Sequence, residues 1–113
     1  MELTYDVVEG EGFDASLLKT CKGAVNMITL NFSEKGEYDM LFDLAAEGSA
    51  LSQMSVSFSI NNTVMGVITR NGGEHEYRAE RVLMGHGNST ERFLKITFSQ
   101  AGLKIKNIRF EKK

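Results

Sequence analysis

The sequence predicts an all-β domain: a two-sheet antiparallel jelly-roll sandwich of about eight strands. Three observations carry that expectation. Apolar residues recur at every second position through most of the 113 residues, as strands with one buried face require. Turn signals interrupt the alternation about every eight to twelve residues. Proline is absent, so the eleven glycines, helped by asparagine and aspartate, make the turns.

The elements follow in order. Residues 3–9 (LTYDVVE) read as a first strand. Asp14 is placed to cap a short helical turn over residues 15–21, which Gly23 ends. Residues 24–32 (AVNMITLNF) put Ile28, Leu30 and Phe32 in step, and Gly36 centres the next turn. Residues 37–46 (EYDMLFDLAA) separate Tyr38, Met40, Phe42 and Leu44 from Asp39, Leu41 and Asp43. Residues 54–60 alternate most cleanly, with Met54, Val56, Phe58 and Ile60 on one parity and Ser55, Ser57 and Ser59 on the other. One face of such a strand must be buried between the sheets, and the hydroxyl face is left for water or a ligand.

Asn61 and Asn62 tolerate positive φ, which suits a tight hairpin into residues 64–70 (VMGVITR). After the loop NGGEHE, residues 77–84 (YRAERVLM) place Tyr77, Ala79, Arg81 and Leu83 on one parity; Ala, Glu and Arg there suit a helix as well. The loop GHGNSTE leads to residues 92–98 (RFLKITF), with Leu94, Ile96 and Phe98 in step. The last strand, residues 103–110 (LKIKNIRF), changes phase: Leu103 and Ile105 share one parity, Ile108 and Phe110 the other. A β-bulge near Lys106 and Asn107 would turn all four inward. The expected inward set includes Phe42, Phe58, Ile96 and Ile108.

The bulk composition narrows the function. Residues 1–113 are one domain's length, enough to bury roughly 65% of the unfolded chain's surface. A net charge of −2 gives no electrostatic case for nucleic acid, and no stretch approaches a membrane span, so neither is expected as a partner. Cys21 is the only cysteine; it allows no internal disulfide and reads as a small buried hydrophobe. The opening MELTYDVVEG lacks a signal peptide's basic and apolar regions. No catalytic or phosphate-loop motif is found.

Several stretches together resemble the galactose-binding-like β-sandwiches, and among them the carbohydrate-binding modules of families 6 and 35. The likeness rests on GEYDMLFDLAAEGSALSQMSVSFSINNTVMGVI and on RFLKITFSQAGLKIKNIRF. In the first, Gly36 precedes the aromatic-led strand at Tyr38, a small-residue loop follows, and a strand ending at Asn61 returns through Gly66. In the second, a glycine turn leads to a closing strand. Such modules ride on glycoside hydrolases without catalysing anything. The resemblance therefore implies an accessory domain excised from a larger chain, next to a catalytic domain, binding a glycan, and extracellular or periplasmic if that hydrolase is secreted. The alternative is a structural or protein-interaction domain that packs on the catalytic domain and binds no sugar. The chain has no tryptophan, the family's usual stacking residue.

The expected ligand constellation lies on loop tips. Tyr77 offers a ring for the apolar face of a sugar, while Asn71, Glu74, His75, Arg78, His86, Asn88 and Asn107 offer hydrogen bonds to its hydroxyls. Tyr5, Phe13, Tyr38 and Phe93 are the other rings least committed to an inward parity. Glu9, Glu11 and Asp14 cluster on a glycine-rich turn and are the candidates for a structural calcium, as the family's N-terminal acidic residues are; calcium wants six to eight oxygens. His75 and His86 lack the nearby cysteine or histidine of a zinc site and read as exposed loop residues.

Overall fold

The computed structural model describes residues 2–85 and 90–113. Among them eight strands run in chain order: β1 (Glu2–Val7), β2 (Val25–Phe32), β3 (Tyr38–Ala46), β4 (Gln53–Ile60), β5 (Thr63–Asn71), β6 (Arg78–Leu83), β7 (Glu91–Phe98) and β8 (Leu103–Lys112). A 3-10 turn, Ala15–Leu17, lies between β1 and β2, shorter than the sequence suggested; Asp14 Oδ1 caps it by accepting from Ser16 N at 2.9 Å. One sheet has the order β1-β2-β7-β4-β5 and the other β6-β3-β8. The two-sheet all-β sandwich is as expected.

The pairing is antiparallel except at one place. β1 runs parallel to β2, which corrects the wholly antiparallel expectation. A parallel pair needs a long crossover, and residues 8–24 supply one. On its way this segment crosses to β8, where Gly10 N donates to Phe110 O at 2.7 Å and Phe110 N to Glu11 O at 3.0 Å. Gly12 is required there, because a Cβ would collide with the Ile108 carbonyl.

Alternation explains the core. Met40, Phe42 and Leu44 from the small sheet meet Ile28, Leu30, Val56, Phe58, Leu94, Ile96 and Phe98 from the large one, all buried. Phe42 and Phe58 touch across the sheets, with ring centroids 5.2 Å apart. Each such side chain contributes about 1.5–3 kcal/mol by leaving water. At one end Tyr5, Phe13, Phe32, Tyr38 and Phe110 form a second aromatic cluster, with Phe32 and Tyr38 centroids 4.5 Å apart. Phe13 and Tyr38 are therefore core rings.

The phase change in β8 is a bulge. Leu41 pairs with Arg109 and Asp43 with Lys106, so Phe42 faces two residues, Asn107 and Ile108. Asn107 takes a left-handed φ of 56°, a conformation asparagine tolerates better than most residues. With that extra residue Leu103, Ile108 and Phe110 are all buried. The β4–β5 hairpin turns as expected, on Asn61 at φ 49° and Asn62 at φ 69°.

β6 is a strand, and its Tyr77, Ala79, Arg81 and Leu83 parity faces outward while Val82 is buried. Its Glu80 pairs with Arg70 of β5, tying together the open edges of the two sheets. Arg92 shares the inward parity of Leu94 and is also buried. Its guanidinium donates to Met84 O at 2.9 Å, Gly85 O at 2.7 Å and Gly36 O at 3.1 Å, and lies over the Phe32 ring. It thus spends its donors on loop carbonyls that the sandwich end would otherwise leave unsatisfied. Cys21 is exposed on a turn and is not the buried hydrophobe expected of it; it falls in the crossover, where no strand parity turns a side chain inward.

The alternation makes a direct prediction. Phe58→Ala should cost about 3–5 kcal/mol in urea denaturation, whereas Ser57→Ala, one position along on the outer face, should stay within about 0.5 kcal/mol.

Candidate functional site

The loop between β5 and β6 is stitched to its surroundings. Asn71 Oδ1 accepts from Gly73 N at 2.8 Å, and its amide donates to Ala50 O. Glu74 N bonds Asn71 O at 2.9 Å, and Glu74 lies 3.6 Å from Arg70 Nε. His75 Nδ1 is 3.1 Å from Ala46 O, at the end of β3. Asn71, Glu74 and His75 therefore hold the loop in shape. Tyr77 remains 41% exposed, and the Lys106 ammonium sits 3.9 Å from its ring centroid, covering one face by a cation–π contact. Arg78 is exposed at the start of β6.

The registers place Asn107 in the bulge opposite Phe42, midway along β3, and Tyr77 just before β6, past the partner of Leu44. Asp43 of β3 lies between them, paired with Ala79 on one side and Lys106 on the other. Asn107 Nδ2 donates to Asp43 Oδ2 at 2.8 Å, and its carbonyl accepts from Arg109 Nη1 at 2.8 Å. Asn107 also lines a shallow concavity of about 610 Å³ with Phe13, Asp14, Ser16, Ile105 and Lys106. Of the expected residues, then, Tyr77 is joined by Lys106, which the sequence reading did not single out, and Asn107 follows Lys106 in the bulge, while Arg78 shares the parity of Val82, opposite to that of Tyr77. Asn71, Glu74 and His75 support Tyr77 from the loop. His86 and Asn88 lie outside the described residues.

Two of the three acids proposed for calcium are employed separately. Glu9 Oε2 accepts from Lys112 N at 3.1 Å and Asp14 caps the 3-10 turn. Among the described residues no group of three or more carboxylate, histidine or cysteine side chains is arranged to hold a metal. A bound calcium wants several oxygens converging on it, and the Glu9 and Asp14 carboxylates are turned to separate backbone amides.

The outer face of the five-stranded sheet carries a second concavity, of about 510 Å³, lined by Met27, Thr29, Asn61, Asn62, Phe93 and Lys95 with residues of β1. Phe93 was visible in the sequence as an uncommitted ring. Its companions could not be seen, because they come from three strands and a turn.

Electrostatics at the surface is local. The Ser16 amide holds the Asp14 carboxyl below its ordinary range. Hydrogen bonds from Lys112 and Lys104 do the same for Glu34 and Glu47. In the core, burial lowers the Arg92 guanidinium against the smaller opposing influence of Tyr38.

No protein-family model matches the chain, and no curated protein does. The fold is similar to part of the solved structure of a beta-glucosidase from Paenibacillus barengoltzii, with 19% identity and a TM-score of 0.59. The similarity covers 96% of this chain and 13% of the beta-glucosidase chain. At that identity it shows the fold.

Two measurements follow. Thermal unfolding should be unchanged by EDTA or by added calcium; a rise of several degrees with calcium would restore the metal site. Asp14, Glu34 and Glu47 have lowered values when folded, so they stabilise above their ordinary carboxyl range and lose that effect as pH falls through the lowered values. The urea midpoint should therefore drop at acid pH, beginning near the ordinary value of 4.5. An E34Q/E47Q variant should show a shallower drop.

Proposed function

We propose that the chain is a non-catalytic accessory domain of a carbohydrate-active protein, one that binds or positions a glycan beside a glycoside hydrolase domain. The observation that carries this reading is the beta-glucosidase similarity: almost the whole chain corresponds to a small fraction of a glycosidase. An appended module would give that relation. The sequence likeness to carbohydrate-binding modules of families 6 and 35 supports the same reading.

The ligand would meet the outer side of the small sheet between Tyr77 and Asn107. One face of Tyr77 is taken by Lys106, leaving the other for a sugar ring. Asn107, fixed by Asp43 and by its place in the bulge, has a settled orientation toward the neighbouring concavity. A preset geometry of this kind lowers the ordering cost of binding.

A second reading has its own support. The outer face of the large sheet exposes Val25, Met27, Val64, Val67 and Phe93, an apolar share that suits packing against a neighbouring domain. Calorimetric titration with galactose, xylan oligomers and glucan oligomers separates the two readings. Binding in the micromolar to millimolar range is expected, weakened several-fold by Tyr77→Ala. No heat with any glycan would leave the packing role.

A further inference from the structure

We infer that a small pocket at the start of β3 binds an alkylammonium cation through the Asp39 carboxylate. The pocket lies at the opposite end of β3 from Leu44 and its partner Arg78, and the inference does not depend on the module reading. Asp39 has the outward parity of β3, opposite to that of Met40, yet it is 1% exposed. Its Oδ2 accepts from Arg81 Nη1 at 2.6 Å. Its Oδ1 accepts no hydrogen bond among the described residues, and the Lys113 ammonium stands 3.6 Å away. A buried carboxylate oxygen in this position has given up hydration without a full replacement.

The pocket that Asp39 lines has a volume of about 200 Å³. Tyr38, Met65 and Leu83 form its apolar walls, from β3, β5 and β6. Its ionised groups are Asp39, Glu37 and Lys113. Glu37 is exposed, and its carboxylate makes no hydrogen bond or ion pair among the described residues. Arg81 already occupies the other oxygen of Asp39. When the Lys113 side chain swings into water, Asp39 and Glu37 outweigh Arg81, and the pocket is left with a net negative charge that favours a cation.

Lys113 indicates which cation. The group that approaches Asp39 Oδ1 is a primary ammonium on an alkyl stem, but it stops at 3.6 Å and its side chain stays 44% exposed. An incoming alkylammonium would bring its nitrogen to hydrogen-bond distance of Oδ1, a charge-assisted contact. Its methylenes would lie against Met65 and Leu83, as the stems of long cationic side chains lie on apolar surface. The pocket is smaller than the roughly 300–1,000 Å³ of drug-sized sites, so it takes one such chain and no larger ring system. The same chemistry is offered by a free amine and by a lysine side chain of a neighbouring polypeptide.

The test is an NMR titration of the protein with butylammonium, Nα-acetyl-lysine methylamide and butan-1-ol. Both amines should saturate at low millimolar concentration and move the amides of Asp39, Met65, Leu83 and Gly85, whereas the uncharged alcohol should not. Tighter binding of the lysine derivative would assign the site to a polypeptide side chain, and equal or weaker binding to a free amine. Asp39→Asn should weaken binding more than about tenfold. Lys113→Met, which removes the competing ammonium and leaves Asp39 and Arg81 in place, should strengthen it several-fold and decides the matter if Asp39→Asn does not fold. Failure of both amines to saturate by about 20 mM, butan-1-ol binding as well as butylammonium, or a Lys113→Met variant that binds no better than the parent would overturn the inference.

Discussion

The extra residue in β8 is the constraint on which the rest of the molecule depends. A strand of strict period two cannot place Leu103 and Ile108 on the same side. Asn107 breaks the period in a left-handed conformation opposite Phe42, and both halves of β8 then face the large sheet. The near half closes over Ala46 and Leu44 of β3. The far half carries Phe110 into the aromatic cluster with Tyr5, Phe13 and Phe32. The same bulge fixes the crossover segment, whose Gly12 sits against the Ile108 carbonyl. That segment leads from β1 to β2, the parallel pair among the described strands. The bulge turns Asn107 outward to Asp43 as well, so a core requirement and a surface site share one residue.

Once the interior is closed in this way, its few buried charges act as fasteners. Arg92 gathers the carbonyls of two loops at one end of the sandwich. Arg70 and Glu80 join the edges of the two sheets. Asp39, 1% exposed, is held by Arg81 at 2.6 Å. Removing one member of such a set would strand its partner in a poorly solvated place, which is why they are kept as sets. The result is a rigid scaffold whose recognition surfaces are loop ends and outer sheet faces, the usual places for function on a sandwich.

Much of this could be read in the sequence where the physics is local. Alternation identified the eight strands and the inward set, because a strand's two faces differ by one position in the chain. The β8 bulge was legible as a change of phase, and the Asn61–Asn62 turn as a pair tolerant of positive φ. What stayed hidden depends on distant segments. The parallel β1–β2 pairing is decided by where the crossover travels, and the outward direction of the Tyr77 parity by which side of β6 meets the core. Likewise Lys106 over Tyr77 joins residues of two strands separated by β3. The acids near Glu9 are close in sequence, yet Glu9 and Asp14 find separate backbone partners, so sequence proximity overstated their convergence.

The most direct test is to replace Asn107 by a β-branched residue, which resists the left-handed conformation of the bulge, and to follow urea unfolding together with the near-ultraviolet aromatic signal. If the strand runs straight through residue 107, either Ile108 and Phe110 or Leu103 and Ile105 must face water. Asn107→Val should destabilise by about 1–3 kcal/mol or more, while Asn107→Gly, which keeps the left-handed conformation open, should stay within about 1 kcal/mol of the parent. An Asn107→Val variant as stable as the parent would show that the core does not depend on the bulge.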